Sequence, residues 1–150
     1  MKSNDFIAVL SEMPDTLKSR LDSLSDEQLR LKPDGGYFSI LENICHLRDI
    51  EIEGYGVRLQ RLLTEQHPRL PDLNGGQLAL ERHYNDQALQ PAMDDFIRAR
   101  HANLKLLEKL TANQLARTGT LEPQGEITLG RLLKLWVEHD RGHIQELEKL

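Results

Sequence analysis

The chain has 150 residues, of which 39% are hydrophobic and 29% are charged, and its net charge is −5. This length is that of one ordinary domain, so we expect residues 1–150 to form a single domain with a buried core. The composition excludes a disordered chain, and no apolar segment reaches the roughly 18 residues that a membrane-spanning helix needs. The negative charge argues against general nucleic-acid binding. A single cysteine excludes an internal disulfide, and the first residues lack the pattern of a signal peptide, so we predict a cytoplasmic protein.

Apolar residues recur three or four positions apart along most of the chain, which is helical spacing, whereas strand-like alternation is almost absent. The first such stretch covers residues 6–24, and Pro14 within it predicts a kink or the start of a new helix, because proline lacks the N–H for the i→i−4 bond. A capping-box pattern at Ser25 predicts a short second helix. Another, at the start of residues 39–67, predicts a long helix that ends before a proline.

The second half of the chain begins with an irregular stretch. Residues 68–84 contain prolines, an asparagine and a glycine pair, and predict a long crossover loop that can include one helical turn. The next long helix is predicted over residues 86–110, with Pro91 tolerated in its early turns. A turn-rich connection then leads to Thr128, an N-cap residue for the last helix. We therefore predict an all-α fold, a four-helix bundle with a long crossover loop between its second and third helices.

Two of the six histidines lie in the apolar stripe of the last helix. His139 and His143 fall in line with Leu132, Trp136 and Leu147. Their spacing of four stacks both imidazoles on one face, which is how a single helix offers two ligands to one metal ion. A buried neutral imidazole requires a hydrogen-bond partner or a metal. Two hydrogen-bonded core histidines are the alternative, and we favour the metal site.

His46 is the best candidate for a third ligand. It lies seven residues after the Ser39 cap, and the other two histidines lie eleven and fifteen residues after the Thr128 cap. In a helix these offsets share one face, which would bring the three rings together if the two helix pairs are related by a pseudo-twofold axis. The alternative is a boundary histidine that is hydrogen-bonded to a carboxylate. The remaining histidines are predicted at the surface: His67, His83 and His101.

Two neighbouring features suggest other chemistry and are set aside. His139-Asp140-x-x-His143 is similar to the H-E-x-x-H motif of zinc proteases, but we do not predict a protease, because aspartate reaches less far toward a metal-bound water than glutamate. Cys45 adjoins His46 in sequence but points about 100° away around the helix. We predict that it is a core residue rather than a nucleophile or a ligand.

Four short motifs cover nearly the whole chain in a recognisable order. They are Phe38-Ser39-x-x-Glu42-Asn43-x-x-His46-Leu47, Phe96-x-x-x-Arg100-x-x-x-Leu104-x-x-Leu107, Gly125-x-x-Thr128-Leu129 and Glu138-His139-Asp140-x-x-His143. Together they resemble the DinB/YfiT-like family of metalloenzymes. The resemblance implies an up-down-down-up bundle and one divalent metal ion held by three histidines, which correspond to His46, His139 and His143. It also implies a thiol-dependent S-transferase or isomerase, or a metal-dependent hydrolase, acting on a small molecule.

The expected chemistry follows from such a ligand set. Three neutral imidazoles leave a divalent ion its full charge and an open position, where a bound water or thiol is deprotonated more readily. Zinc and nickel both fit, and a low-molecular-weight thiol is an expected cosubstrate. The outer ring nitrogens need acceptors, for which Asp49, Glu138 and Asp140 are the candidates. No catalytic residue is predicted beyond the ligands.

Two functions of other classes remain open at this stage. The first is a non-catalytic, stress-related bundle with a structural metal, which the lack of an obvious general base beside the histidines favours. The second is an interaction module that forms a homodimer through its long helices. Gly54 and Gly56 would allow a close helix contact of that kind.

Overall fold

The computed structural model describes residues 2–150, and this part of the chain contains eight α-helices, a π-helical segment, a 3-10 turn and three short strands. The helices are α1 (Ser3–Leu21), α2 (Asp26–Arg30), α3 (Ile40–Asp49), α4 (Gly56–Thr64), α5 (Gly75–Glu81), α6 (Leu89–Leu107), α7 (Ala112–Leu115) and α8 (Leu129–Glu148). The strands are β1 (Arg69–Leu70), β2 (Thr118–Leu121) and β3 (Gly125–Thr128), and the π-helical segment (Ile50–Tyr55) joins α3 to α4. Within residues 2–150, no helix is both long and apolar enough to cross a membrane.

Four long helical elements form a bundle, as predicted. They are α1, the continuous element from α3 to α4, α6 and α8. Helix α1 packs against α6 and α8, and the α3–α4 element packs against the same two helices on the other side. The apolar stripes of these helices meet in the middle, where Leu10, Leu17, Ile44, Phe96 and Trp136 are fully buried. The predicted four-helix bundle is therefore confirmed.

The predicted helix starts are also confirmed where a cap was recognised. The Ser39 hydroxyl accepts a hydrogen bond from the Glu42 N–H, and the Ser39 N–H donates to the Glu42 carboxylate. Thr128 accepts from the Arg131 N–H in the same way at the start of α8. Because a cap fixes where a helix begins, these two residues fix the positions of the histidines that follow them.

The local structure differs from the sequence predictions in three places. Pro14 does not start a new helix, because it lies inside α1. The crossover, predicted as a loop, contains β1, α5 and the 3-10 turn (Tyr84–Asp86). A small sheet was not predicted at all; in it β2 pairs in parallel with β1 and antiparallel with β3. Strands of two to four residues are too short to show the alternation that marks a strand in a sequence.

The helix predicted over residues 39–67 ends at Thr64 and changes to a π-helix in its middle. The Gly56 N–H donates to the Glu51 carbonyl, five residues back. A Cβ on Gly56 would lie 2.7 Å from that carbonyl oxygen and 3.3 Å from the Asn103 amide, so only glycine fits there. The close contact that Gly56 allows is therefore made inside the chain, and the argument for a homodimer from this glycine no longer holds.

Candidate metal centre

The structure brings together the three histidines that the sequence analysis selected. Helix α3 carries His46, and α8 carries His139 and His143. One ring nitrogen from each lies within 4.8 Å of the others, and the Nε2 atoms of His46 and His139 are 3.3 Å apart. The other histidines are exposed, as predicted. Cys45 is fully buried in the core, also as predicted.

Burial keeps these three imidazoles neutral at physiological pH. It lowers the pKa of His46 to about 4 and that of His143 to about 4. The pKa of His139 is lowered further, by burial and then by the positive charge that a neighbouring protonated imidazole would carry. A neutral imidazole carries a lone pair on one nitrogen, and two facing lone pairs repel unless a proton or a cation lies between them. The cluster therefore fits a divalent cation.

The outer nitrogen of His143 has a buried amide as its partner. Asn43 is completely buried in α3, and its Nδ2 donates to the Ser39 carbonyl over 3.0 Å. Its Oδ1 is thus the atom that lies 2.8 Å from His143 Nδ1 and accepts the ring N–H. This hydrogen bond leaves the lone pair of His143 on Nε2. Asn43 was part of the recognised motif, three residues before His46, but its role was missed because the candidates chosen were all carboxylates.

His46 is held in place from the other side by the crossover segment. A Cβ on Gly75, the first residue of α5, would lie 2.6 Å from His46 Cε1 and 2.8 Å from its Nδ1. The backbone of α5 therefore lies directly against the imidazole. The Nδ1 atom is buried there and has no hydrogen-bond partner. The sequence showed the glycine pair only as a turn signal, because the contact joins residues 29 positions apart in the chain.

The carboxylates predicted as partners of the outer ring nitrogens are occupied elsewhere or exposed. Asp49 accepts hydrogen bonds from Arg48, Arg82 and Tyr84. Asp140 pairs with Arg100, and Glu138 is exposed. None of the hydrogen bonds among residues 2–150 joins these carboxylates to a ring of the cluster. The geometric reason is that Asp49 and Asp140 lie next to arginines, which are stronger partners than a neutral N–H.

A buried ion cluster supports the segment of α8 that carries His139. Arg100 is almost completely buried, and all five of its N–H groups are engaged by Glu51, Asp140 and the Leu10 carbonyl, over 2.8–3.0 Å. Trp136 also donates to Glu51 over 3.1 Å. The cluster joins α1, the π-helical segment, α6 and α8 at the residue next to His139. It therefore fixes the part of α8 that carries the histidine pair.

One side of the histidine cluster faces a cleft of about 410 Å³. His46 and His139 form part of its wall, together with Tyr55, Arg58 and Glu138. The Tyr55 ring stacks on Trp136 at 4.9 Å and lies 5.5 Å from the His139 ring. The rest of the lining comes from the crossover, from the end of β2 and the turn after it, and from two apolar residues of the bundle: Asp72, Leu73, Leu121, Glu122, Gln124, Ile50 and Leu135. A small molecule in this cleft would lie beside the ring nitrogens.

Comparison with known proteins places this geometry in a family. The model of the DinB superfamily matches residues 10–147. A protein of Oceanobacillus iheyensis named as a candidate metal-dependent hydrolase, OB0782, is 25% identical over 98% of this chain and 84% of its own length. YfiT of Bacillus subtilis, named in the same way, is 26% identical over 99% of this chain and 84% of its own length.

The fold agrees with a solved structure as well. The structure of Bacillus subtilis YfiT, described as a probable metal-dependent hydrolase with an unusual four-helix bundle topology, superposes with a TM-score of 0.89. It is 24% identical in sequence, and the match covers 99% of this chain and 86% of that one. With nearly the whole chain matched by the family model, the conclusion is direct: the chain belongs to the DinB superfamily.

Proposed function

We propose that this protein is a metal-dependent hydrolase of small molecules whose single divalent ion is bound by His46, His139 and His143. The observation that carries the proposal is the convergence of three neutral imidazoles, of which His46 and His139 line a cleft of about 410 Å³. A volume of this size suits a small molecule. The names of the two relatives as metal-dependent hydrolases support the reaction class.

A divalent ion on three neutral imidazoles, with zinc or nickel as our proposed identity, supplies an open position and lowers the pKa of what binds there. The chain supplies the rest. Asn43 and Gly75 orient two of the imidazoles. Glu138 is the exposed carboxylate of the cleft wall beside His139 and is our candidate for holding a proton during hydrolysis.

A thiol-dependent S-transferase is the second candidate. The observation that favours it is that no hydrogen bond among residues 2–150 holds the Glu138 carboxylate in place, whereas a thiol needs no fixed base to be deprotonated at a metal. The chain does not supply this thiol, because burial raises the pKa of Cys45 to about 11 and its Sγ faces the Tyr84 carbonyl. A low-molecular-weight thiol would have to be the cosubstrate.

Metal analysis tests the shared part of both candidates. Protein purified without chelators or a histidine tag is expected to carry about one equivalent of divalent metal. His139→Ala should lose it and keep its helical circular dichroism, while His101→Ala, a change at an exposed histidine, should retain it. Wild-type protein that binds no divalent metal after addition of zinc or nickel would overturn the proposal.

Activity assays then separate the two candidates. The metal-loaded protein is tested on a panel of small esters, amides and thiol-reactive electrophiles, each with and without an added thiol. Turnover without thiol that is lost in Glu138→Gln supports hydrolysis, and turnover that requires the thiol supports the transferase. Metal binding without any turnover would favour the non-catalytic module. We also propose a cytoplasmic location and a homodimer, and a monomer in light scattering at micromolar concentration would exclude the dimer.

A further inference from the structure

A second buried arginine lies in the wall of the same cleft, and its guanidinium has no hydrogen-bond acceptor among residues 2–150. Arg58 on α4 has a side chain that is only 10% exposed. Its guanidinium lies over the Tyr55 ring at 5.2 Å, and its Nε is buried without a hydrogen-bond partner. The nearest carboxylate oxygen, of Asp72, is 3.8 Å from Nη2, which is beyond hydrogen-bond distance. No hydrogen bond among residues 2–150 involves this guanidinium.

Comparison with Arg100 shows that Arg58 lacks hydrogen-bond acceptors within the protein. The Arg100 side chain is more deeply buried, at 1% exposed, and two carboxylates and a carbonyl accept from all five of its N–H groups. Removing a guanidinium from water without acceptors is costly, and the cost is recovered only when acceptors are provided. At Arg58 the protein leaves those acceptors out on the side that faces the cleft. A ligand bound in the cleft is the group that can provide them.

We propose that Arg58 binds a carboxylate of the molecule on which the histidine site acts; this inference rests on the proposed function. The planar guanidinium matches a carboxylate through two parallel N–H···O bonds. The Tyr55 ring is 5.5 Å from the His139 ring and 5.2 Å from Arg58 Cζ, and all three side chains line the same cleft, so a ligand in the cleft can contact both the histidines and the guanidinium. The substrate class is therefore a small carboxylic acid.

The other charges of the cleft distinguish a carboxylate from a more highly charged anion. Three acidic side chains also line it: Asp72, Glu122 and Glu138. Glu122 is paired with Arg69, and the other two have exposed carboxylates. These groups would repel a phosphate monoester, which carries close to two negative charges at neutral pH. They would repel a single carboxylate much less, and one buried arginine is enough to neutralise it.

Binding of thiol probes to the cobalt-loaded protein tests this inference. The absorption of cobalt-bound thiolate is titrated with mercaptoacetate, 3-mercaptopropionate and 4-mercaptobutyrate, and with the thiol alcohol of each chain length. We expect at least one acid to bind about tenfold more tightly than its alcohol, as for one charge-assisted pair. Arg58→Gln should abolish this preference, and Arg58→Lys should restore part of it. Arg61→Gln, a partly exposed position on the same helix that does not line the cleft, is the control and should not change it.

The possible outcomes separate the two proposals. If no cobalt spectrum appears, the metal site of the proposed function is wrong, and the role of Arg58 is tested by the metal-free measurement below. If the metal binds but no acid is preferred, or if the preference persists in Arg58→Gln because the metal itself attracts carboxylates, the role of Arg58 is wrong.

A second measurement needs no metal. In the metal-free protein, Arg58→Met should leave the melting temperature unchanged or raise it, because it removes a buried charge that has no hydrogen-bonded partner and lies 3.8 Å from the exposed Asp72 carboxylate. Arg100→Met should lower it clearly. A loss in Arg58→Met as large as that in Arg100→Met would show that Arg58 is a structural residue of the fold, and would overturn the inference.

Discussion

Replacing Gly75 by alanine should damage the metal centre without damaging the bundle. The added methyl carbon would lie 2.6 Å from His46 Cε1 and 2.8 Å from its Nδ1. Carbon atoms in contact prefer about 3.5–4.0 Å, so the imidazole or the start of α5 has to move by about 1 Å. Ligand distances in a working metal site are held to about 0.2 Å, so a shift of this size moves His46 out of position. We expect the affinity for zinc to fall by about 10- to 100-fold, the range found when the support of a ligand is lost.

The assay is a competition between the protein and a chromophoric zinc chelator at fixed pH. Gly76→Ala is the matched control, because it adds the same methyl one residue later, where the nearest heavy atom is the Asn74 side-chain oxygen at 3.7 Å. Both variants should keep the helical circular dichroism of the wild type. A Gly75→Ala protein that binds zinc as tightly as Gly76→Ala would show that α5 does not position His46.

Three further predictions concern the groups around the cluster. Asn43→Leu removes the acceptor of the His143 N–H, and we expect zinc affinity to fall about 10- to 100-fold in the same competition assay, while Asn43→Asp should retain binding. Arg100→Met leaves two buried carboxylates unpaired and should cost about 3–5 kcal/mol in urea unfolding; a loss below about 1 kcal/mol would contradict a structural role for the ion cluster. The metal-free protein should lose stability as the pH falls below about 6.5, because the folded pKa of His46 is about 4 and the unfolded chain then binds more protons. Each such histidine contributes at most about 1.4 kcal/mol per pH unit to this loss. The free energy of unfolding, measured with urea between pH 7 and pH 5, should therefore fall less steeply with decreasing pH in His143→Gln than in the wild type.

The three clustered histidines could be selected from the sequence because a helix converts spacing along the chain into position in space. The caps at Ser39 and Thr128 set where α3 and α8 begin, and both are recognisable from a few residues. Once the starts are known, His46 and the pair on α8 fall on inward faces. Burial of these stripes then requires the faces to meet, which is the only long-range step in that prediction.

The groups that support the ligands could not be selected in this way. Gly75 and Arg58 act on the site through contacts between distant segments, and no local pattern in the sequence marks either of them. The choice of Asp49 and Asp140 was wrong for a related reason. A carboxylate within three residues of a histidine was taken as its partner, but Arg82 and Arg100, from other elements, bind these carboxylates instead.

The two buried arginines, Arg100 and Arg58, have different roles at the site. Every N–H group of the Arg100 guanidinium has an acceptor within the protein. Arg100 pairs with Asp140, the residue after His139, and with Glu51, and so holds α8 and the π-helical segment in a fixed relation. The Arg58 guanidinium has no hydrogen-bond acceptor among residues 2–150. It lies on the cleft side, and Arg58 follows Tyr55 by about one helical turn. A group whose acceptors all come from the fold can only stabilise, whereas a group whose acceptors are missing is available to a ligand. The same residue type therefore marks the scaffold in one place and the position of the substrate in the other, and the hydrogen-bond partners, not the burial, tell them apart.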